Sequence, residues 1–418
     1  VTGHHVKYDL LLLNPALQLT RVRTPDFVFP WVNGGHGWMP LAPLFLASYL
    51  KQAGFSVFVL DMELYSSVDE QQVLERYVRD SSFVGISAMT MHVPHALVLT
   101  EYVKKIKPDI QVVWGGVHAS LLPTQTVAHP LIDAVIVGEG EEALACLLRG
   151  EDHPRIETKQ KQLGADAQVC FMDVDNIADP DYSVLEMSRY LAFQGKYRNV
   201  DILTSRGCPR RCSFCINTIL GSKWRSFDAE RSIAYIHRVV DSYHPRHTFL
   251  MDENFFADVP RAQQIVNCFK ARGITWEANV TIKAVAGLHQ TGTLAQLKAC
   301  GCTRLRMGAE SASDRLLKIL RKGIVRADIE QAVAACLSVD ITPILSFMVD
   351  LPDELLQEKV ATMSFAKKCG MQGAAIIGPQ RFRPYPGSEE FNKLVSKGLR
   401  IPQSLTAWGA CDLFNTVK

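Results

Sequence analysis

The segment Val200-Asp201-Ile202-Leu203-Thr204-Ser205-Arg206-Gly207-Cys208-Pro209-Arg210-Arg211-Cys212-Ser213-Phe214-Cys215 reads as a short buried strand that runs into a loop carrying three cysteines. C-x3-C-x2-C within eight residues lets three thiolates converge on one face of an iron–sulfur cubane. The fourth iron then has no protein ligand and is open to a substrate group. A zinc site would want a fourth Cys or His nearby, and the nearest downstream, His237, falls in a predicted helix. Three incidental cysteines are the bland alternative. The tight spacing, the strand-end position and the flanking Gly207 and Phe214 all speak against it.

Outward from this loop the chain alternates apolar runs with helical patterns. Candidate strands follow at 200–205, 247–253, 275–280, 304–310, 342–351 and 374–385, each separated by helix, which suggests a partial (β/α)6 TIM-like barrel spanning 200–387. Ligand chemistry then belongs at the carboxyl ends of the strands. Upstream, apolar runs at 8–15, 56–61, 83–88, 111–116 and 133–138 alternate with helices at 40–54, 68–80, 94–107 and 141–149. That rhythm implies a flavodoxin- or Rossmann-like doubly wound parallel sheet over 1–150. Residues 151–199 are polar and irregular and read as a linker, and 388–418 as a short tail. Two domains suit the 418 residues.

The formal net charge is +2 with no long charge run, so there is no basic field of the kind that binds nucleic acid. No apolar run reaches membrane-spanning length, and the N-terminus VTGHHVKYD lacks a secretory pattern. Eleven cysteines without that signal do not read as a disulfide framework, which points to a reducing cytoplasm. Cys146, Cys268, Cys300, Cys336 and Cys369 sit in apolar helical patterns, where cysteine acts as a small hydrophobe.

The cysteine loop, with an aromatic before its last Cys and at the end of the first strand of a (β/α)6 barrel, resembles the radical S-adenosylmethionine (SAM) superfamily. The resemblance implies a [4Fe–4S] cluster on Cys208, Cys212 and Cys215, with SAM on the unique iron and Phe214 beside its adenine. It also implies reductive cleavage of SAM to a 5′-deoxyadenosyl radical, with an electron donor such as flavodoxin or ferredoxin. Asp252 and Glu253, ending strand two, fall where the family contacts the SAM amino group. Glu310 and Ser311, ending strand four, match its G-x-E-S segment on the ribose and methionine; capping of strand–helix turns is the alternative for Asp252 and Glu310. Pro384-Tyr385-Pro386-Gly387-Ser388 matches a turn-forming segment after strand six. One turn departs from the family. Asp350-Leu351-Pro352-Asp353-Glu354 has aspartates where glycines are usual, either an acidic pair for a polar substrate or a solvated turn.

The N-terminal half resembles the cobalamin-binding domain that precedes the barrel in one radical SAM class. Ser87-Ala88-Met89 and, 28 residues on from Ser87, Gly115-Gly116-Val117 follow its S-x-L…G-G pattern, where small residues admit a nucleotide tail. Gly138 and Glu139 open the matching G-E-G-E turn, also readable as a tight turn before a helix. The usual D-x-H-x-x-G histidine is missing: His36 lacks its Asp and reads as a loop residue. Met89, Thr90, Met91 and His92 are the expected neighbours of the lower cobalt face, though none is a convincing ligand, and His92 reads better as a helix start.

The resemblance therefore implies a cobalamin-dependent C-methyltransferase that moves a methyl group from methylcobalamin to an unactivated carbon. A radical SAM cyclase or rearrangement enzyme is the alternative, and a non-enzymatic cobalamin carrier is disfavoured by the three cysteines. A short C-terminus after the barrel hints at an open mouth and a protein or peptide substrate, with a small metabolite or natural-product precursor close behind.

Overall fold

Leu10-Leu11-Leu12-Leu13 is hydrophobic at every position because both faces of its strand are covered, the signature of a parallel sheet. The computed structural model describes residues 8–16, 38–65, 69–163, 171–193, 198–221 and 223–410. They fall into two units, one from within Val1–Gln194 and Arg400–Lys418, the other from within Gly195–Leu399.

In the first unit β1 (Tyr8–Asn14), β2 (Val57–Asp61), β3 (Ser81–Ser87), β4 (Gln111–Gly115) and β5 (Ala134–Ile136) are parallel, in the order β2-β1-β3-β4-β5. The order reverses between β1 and β3, and the carboxyl ends there open onto the crevice where doubly wound sheets bind ligands. The expected flavodoxin-type sheet is present.

Two expectations about its edges need correction. The stretch 151–199 is not simply a linker. Its β6 (Ile156–Thr158) adds an antiparallel sixth strand beside β5. The Tyr190 hydroxyl donates to buried Asp61 at the end of β2 (2.5 Å). A three-residue strand that pairs beyond an intervening helix, Glu141–Arg149, has no periodicity to read. Nor does the segment after the barrel hang free. The helix Leu405–Ala410 returns to the first unit, where Trp408 is 2% exposed and its Nε1 donates to Gln125 (2.6 Å). Gln125 in turn donates to the Pro402 carbonyl. Gly409 lies so close to the helix Val93–Ile106 that a Cβ there would meet Leu97 at 2.6 Å.

In the second unit β7 (Asn199–Ile202) leads to a two-stranded antiparallel ribbon, β8 (Ser205–Arg206) with β9 (Arg225–Ser226). Then β10 (His247–Leu250), β11 (Thr275–Asn279), β12 (Cys302–Glu310), β13 (Thr342–Val349) and β14 (Ala375–Arg381) line up beside β7 in chain order, all parallel. This is the expected open six-stranded barrel wall. Two of its helices begin on aspartate caps: Asp228 accepts from the Arg231 N–H (2.7 Å) and Asp258 from the Arg261 N–H (3.0 Å). Trp276, fully buried between Phe255 and Phe269, anchors the layer beneath the helices. Cys300, Cys336 and Cys369 are buried as expected, whereas Cys146 and Cys268 are only partly so.

Trp408→Ala removes a fully enclosed indole and strands Gln125, so about 3–5 kcal/mol of stability should be lost. Urea denaturation followed by circular dichroism should show that drop. Leu356→Ala, at a position 77% exposed, should leave the midpoint unchanged.

Candidate functional site

The cysteine loop leaves β8 and is held from two sides. On one side stands Asp252, just past β10 and fully buried. Its carboxylate accepts from the Thr204 N–H (3.1 Å), the Thr204 hydroxyl (2.9 Å) and the Ser205 hydroxyl. These bonds fix the bend between β7 and β8 and leave Asp252 enclosed as a brace. Glu253 accepts from the Gly207 N–H at 3.1 Å, where Gly207 has the φ of +80° that the turn into Cys208 needs. On the other side the loop meets the turn at 320–323. The Ser213 N–H donates to the Leu320 carbonyl (3.2 Å), and Arg210 donates to the Lys322 carbonyl (2.7 Å).

Cys208, Cys212 and Cys215 are all free thiols. Burial pushes Cys208 and Cys215 up, and the neighbouring Cys212 adds to both, so the three sulfurs share one environment. Among the described residues no three His, Cys, Asp or Glu side chains gather around a single-ion position. A cubane does not need that, because each thiolate takes a different iron. The donor set fits a three-cysteine [4Fe–4S] cluster, and iron would displace the protons that burial keeps on the thiols.

Phe214 packs against Leu316, Leu320, Leu351, Phe382 and Leu394, and the Lys322 ammonium stands 5.9 Å from its ring centre. Lys322 also donates to Glu310 at 3.0 Å. Burial works against its charge, but Glu310, Cys212 and Cys215 more than offset this and raise its pKa. Glu310 sits at φ +62° beside a bulge that turns it back over β12. A Cβ on Gly308 would lie 2.2 Å from the Glu310 carboxylate and 2.9 Å from the ammonium, so the pair needs that glycine. Lys322 escaped the sequence reading because Leu320-Arg321-Lys322-Gly323 looks like an ordinary helix end with solvated cations.

Ser311 is fully buried, with its hydroxyl on Thr362 (3.1 Å) and on the Ser313 N–H (3.1 Å), and so shapes the turn after β12. Ser388 caps the next helix through the Phe391 N–H, as expected of a turn segment. Tyr385 lies near Cys215; burial and that thiol push its phenol up. The acidic turn holds no free acidic pair. Asp350 is taken by Lys359 and by Arg381 (2.8 Å), and Asp353 by Lys397 (2.7 Å).

In the first unit the expected residues come together at the carboxyl edge of β3, β4 and β5. Ser87 pairs in register with Gly115. Gly116 has φ +86°, and a Cβ there would lie 2.8 Å from the Ala88 nitrogen and 3.0 Å from the Ser87 hydroxyl. Met89 precedes the short 3-10 turn Thr90–His92, which includes Met91, and Val117 is half-buried in the helix Gly116–Leu121. The Ser120 hydroxyl links two turns, donating to the Gly116 carbonyl (2.8 Å) and accepting from the Gly138 N–H (2.9 Å). The Glu139 carboxylate is occupied by the Met172 N–H (2.7 Å), and so holds the chain at Met172.

The histidines here are poor metal ligands. His92 Nδ1 accepts from the Met89 N–H (3.3 Å), which puts the ring proton on Nε2 and leaves no lone pair there. His95 Nδ1 accepts from the Ala16 N–H (2.8 Å), and its Nε2–H donates to Glu70 (2.5 Å). His118, absent from the sequence reading, is fully buried against Thr90 and the Trp408 edge, and its Nε2 meets no polar partner. His36 lies outside the described residues.

Residues 32–148 match the B12 binding domain and residues 202–366 the Radical SAM superfamily. An uncharacterized methyltransferase of Pyrococcus horikoshii is 28% identical over 388 residues, 89% of this chain and 82% of that protein. An anaerobic magnesium-protoporphyrin IX monomethyl ester cyclase of Rubrivivax gelatinosus is 24% identical, over 86% of this chain and 67% of its own length. The solved radical SAM methyltransferase TsrM of Kitasatospora setae, with tryptophan substrate and a SAM analog bound, superposes with a TM-score of 0.68. That match covers 94% of this chain and 77% of TsrM at 17% identity, and the likeness is one of fold.

Burial holds His92 and His118 at about 4, against an ordinary 6.5. His247 in the second unit behaves likewise. Between those values the unfolded chain binds more protons than the folded one. Stability should be full above pH 6.5 and fall as the pH drops towards 4. Urea midpoints measured across that range should follow this slope, and His118→Gln should make it shallower.

Proposed function

The chain belongs to the radical SAM enzymes that carry a B12-binding domain, and we propose that it is a cobalamin-dependent C-methyltransferase acting on a small organic molecule. The observation that carries this reading is the trio of free thiols, Cys208, Cys212 and Cys215, on a braced loop at the mouth of an open parallel barrel. A [4Fe–4S] cluster held there supplies the electron that splits SAM into methionine and a 5′-deoxyadenosyl radical, with cobalamin as the methyl carrier. The chain's own residues have three tasks. Cys208, Cys212 and Cys215 hold the cluster, and Glu253 fixes the loop through Gly207. Phe214 offers a flat apolar surface to the adenine, and Glu310 offers a carboxylate to the polar part of SAM. Ser87 and Gly115 leave room for the nucleotide tail of cobalamin, Gly116 lets the turn there close on Ala88, and Met89, Thr90, Met91, Val117 and Gly138 lie around it. Asp252, Ser311 and Glu139 act indirectly, by holding turns.

A small substrate is favoured over a peptide because TsrM was solved with tryptophan as substrate and the Rubrivivax protein is a cyclase of a porphyrin ester. A small one-electron protein such as flavodoxin or ferredoxin supplies the reductant. All nine cysteines among the described residues are free, which suits the reducing cytoplasm, and no helix there is long and apolar enough to cross a membrane. Cyclisation is the second reading, favoured by the likeness to the cyclase.

Incubating the reconstituted enzyme with methyl-labelled SAM separates the two readings. Label in the product is expected, whereas an unlabelled cyclised product would favour the second. Replacing any of the three cysteines with Ala should abolish 5′-deoxyadenosine formation and leave cobalamin binding, followed by its visible absorption, unchanged.

A further inference from the structure

Two cations, Arg210 and Lys322, are built into the wall of the cysteine loop. The Lys322 ammonium stands beside Phe214, the residue between Ser213 and Cys215, and feels the charges of Cys212 and Cys215. The two cations are tied together, because Arg210 donates to the backbone carbonyl of Lys322 (2.7 Å). The Ser213 N–H pins Leu320, two residues earlier, at 3.2 Å. The Lys322 backbone is therefore tied to the cysteine loop. Its side chain is 15% exposed, lies 5.9 Å from the Phe214 ring, and is matched by one anion, Glu310, at 3.0 Å. Gly323 at φ +65° allows the tight return, since a Cβ there would lie 2.7 Å from Arg210.

We propose that Lys322 sets the reduction potential of the cluster, as a fixed positive charge on the Cys212–Cys215 side whose strength is trimmed by Glu310. This rests on the reading that the three cysteines hold a [4Fe–4S] cluster. Reduction adds one electron to a group already bearing three thiolates, in surroundings that solvate the added charge poorly. A nearby ammonium favours the reduced form and raises the potential. The carboxylate of Glu310 counters it in part. The two residues therefore act with opposite signs, which a purely structural ion pair would not do. Lys322 is a positioning residue in this account: it touches neither the reacting carbon nor an iron.

The test is a redox titration of the reconstituted, SAM-free protein monitored by electron paramagnetic resonance, with iron and sulfide content measured on each sample. Lys322→Met should lower the midpoint potential by about 59 mV or more, a tenfold change in a one-electron equilibrium. Lys322→Arg should restore it, and Glu310→Gln should raise it. Equal potentials in wild type, Lys322→Met and Glu310→Gln would overturn the proposal. Should Lys322→Met fail to load iron, Glu310→Gln decides alone: an upward shift supports the proposal and no shift defeats it. A wild-type protein that binds no four-iron cluster would instead defeat the reading of function on which the proposal stands.

Discussion

The grip of Asp252 on the end of β7 is the constraint from which the barrel site follows. A carboxylate with no solvent contact must be satisfied by the protein, and here Thr204 and Ser205 supply the donors. Burial raises its pKa, while Ser205, Arg261 and Thr204 pull the other way. Each bond to such a group contributes about 1.5–3 kcal/mol, so the two strand ends are held as one piece. The cysteine loop starts from that piece. Arg261 reinforces it, donating to the Thr204 carbonyl (2.8 Å) and, across the ribbon, to the Phe227 carbonyl (2.6 Å).

A division of labour among acidic groups follows. Those that are wholly enclosed build the frame: Asp252 at β7, Asp61 under Tyr190, Glu277 between Arg304 and Arg306. Others near the barrel mouth are neutralised by surface cations, as Asp350 and Asp353 are. Glu310 belongs to neither group. It pairs with a single cation beside the cysteines, in a strained backbone conformation that a bulge and Gly308 make possible. Asp350 shares that backbone conformation, at φ +63°, so what sets Glu310 apart is its place beside Lys322 and the cysteine loop.

The first domain solves a different problem with smaller residues. Gly116 lets the turn after β4 pack directly on the Ala88 backbone and the Ser87 hydroxyl, and the Ser120 hydroxyl ties that turn to Gly138. The histidines nearby are spent on the fold: two are locked in a tautomer by backbone N–H groups, and the third is sealed under Trp408.

Sequence alone determined the two parallel α/β sheets, apart from the antiparallel edge strand β6, and the cysteine trio, because these rest on local patterns. An unbroken apolar run must be a strand buried on both faces, and three cysteines within eight residues cannot be far apart in space. It also brought out Ser87, Gly115 and Gly116, through the spacing that resembles cobalamin-binding domains. Only the tertiary structure decided which acidic groups were available. Asp252 and Ser311 resemble ligands in the sequence and are enclosed by partners 48 and 51 residues away, and the half-buried Glu139 is held by a partner 33 residues away. Lys322 shows the reverse: it reads as a solvated helix end, yet the fold brings it to Glu310 and the cysteines. Periodicity and spacing report what a segment does with its neighbours in the chain. The charge state and reach of a buried side chain depend on neighbours in space, which only the folded chain supplies.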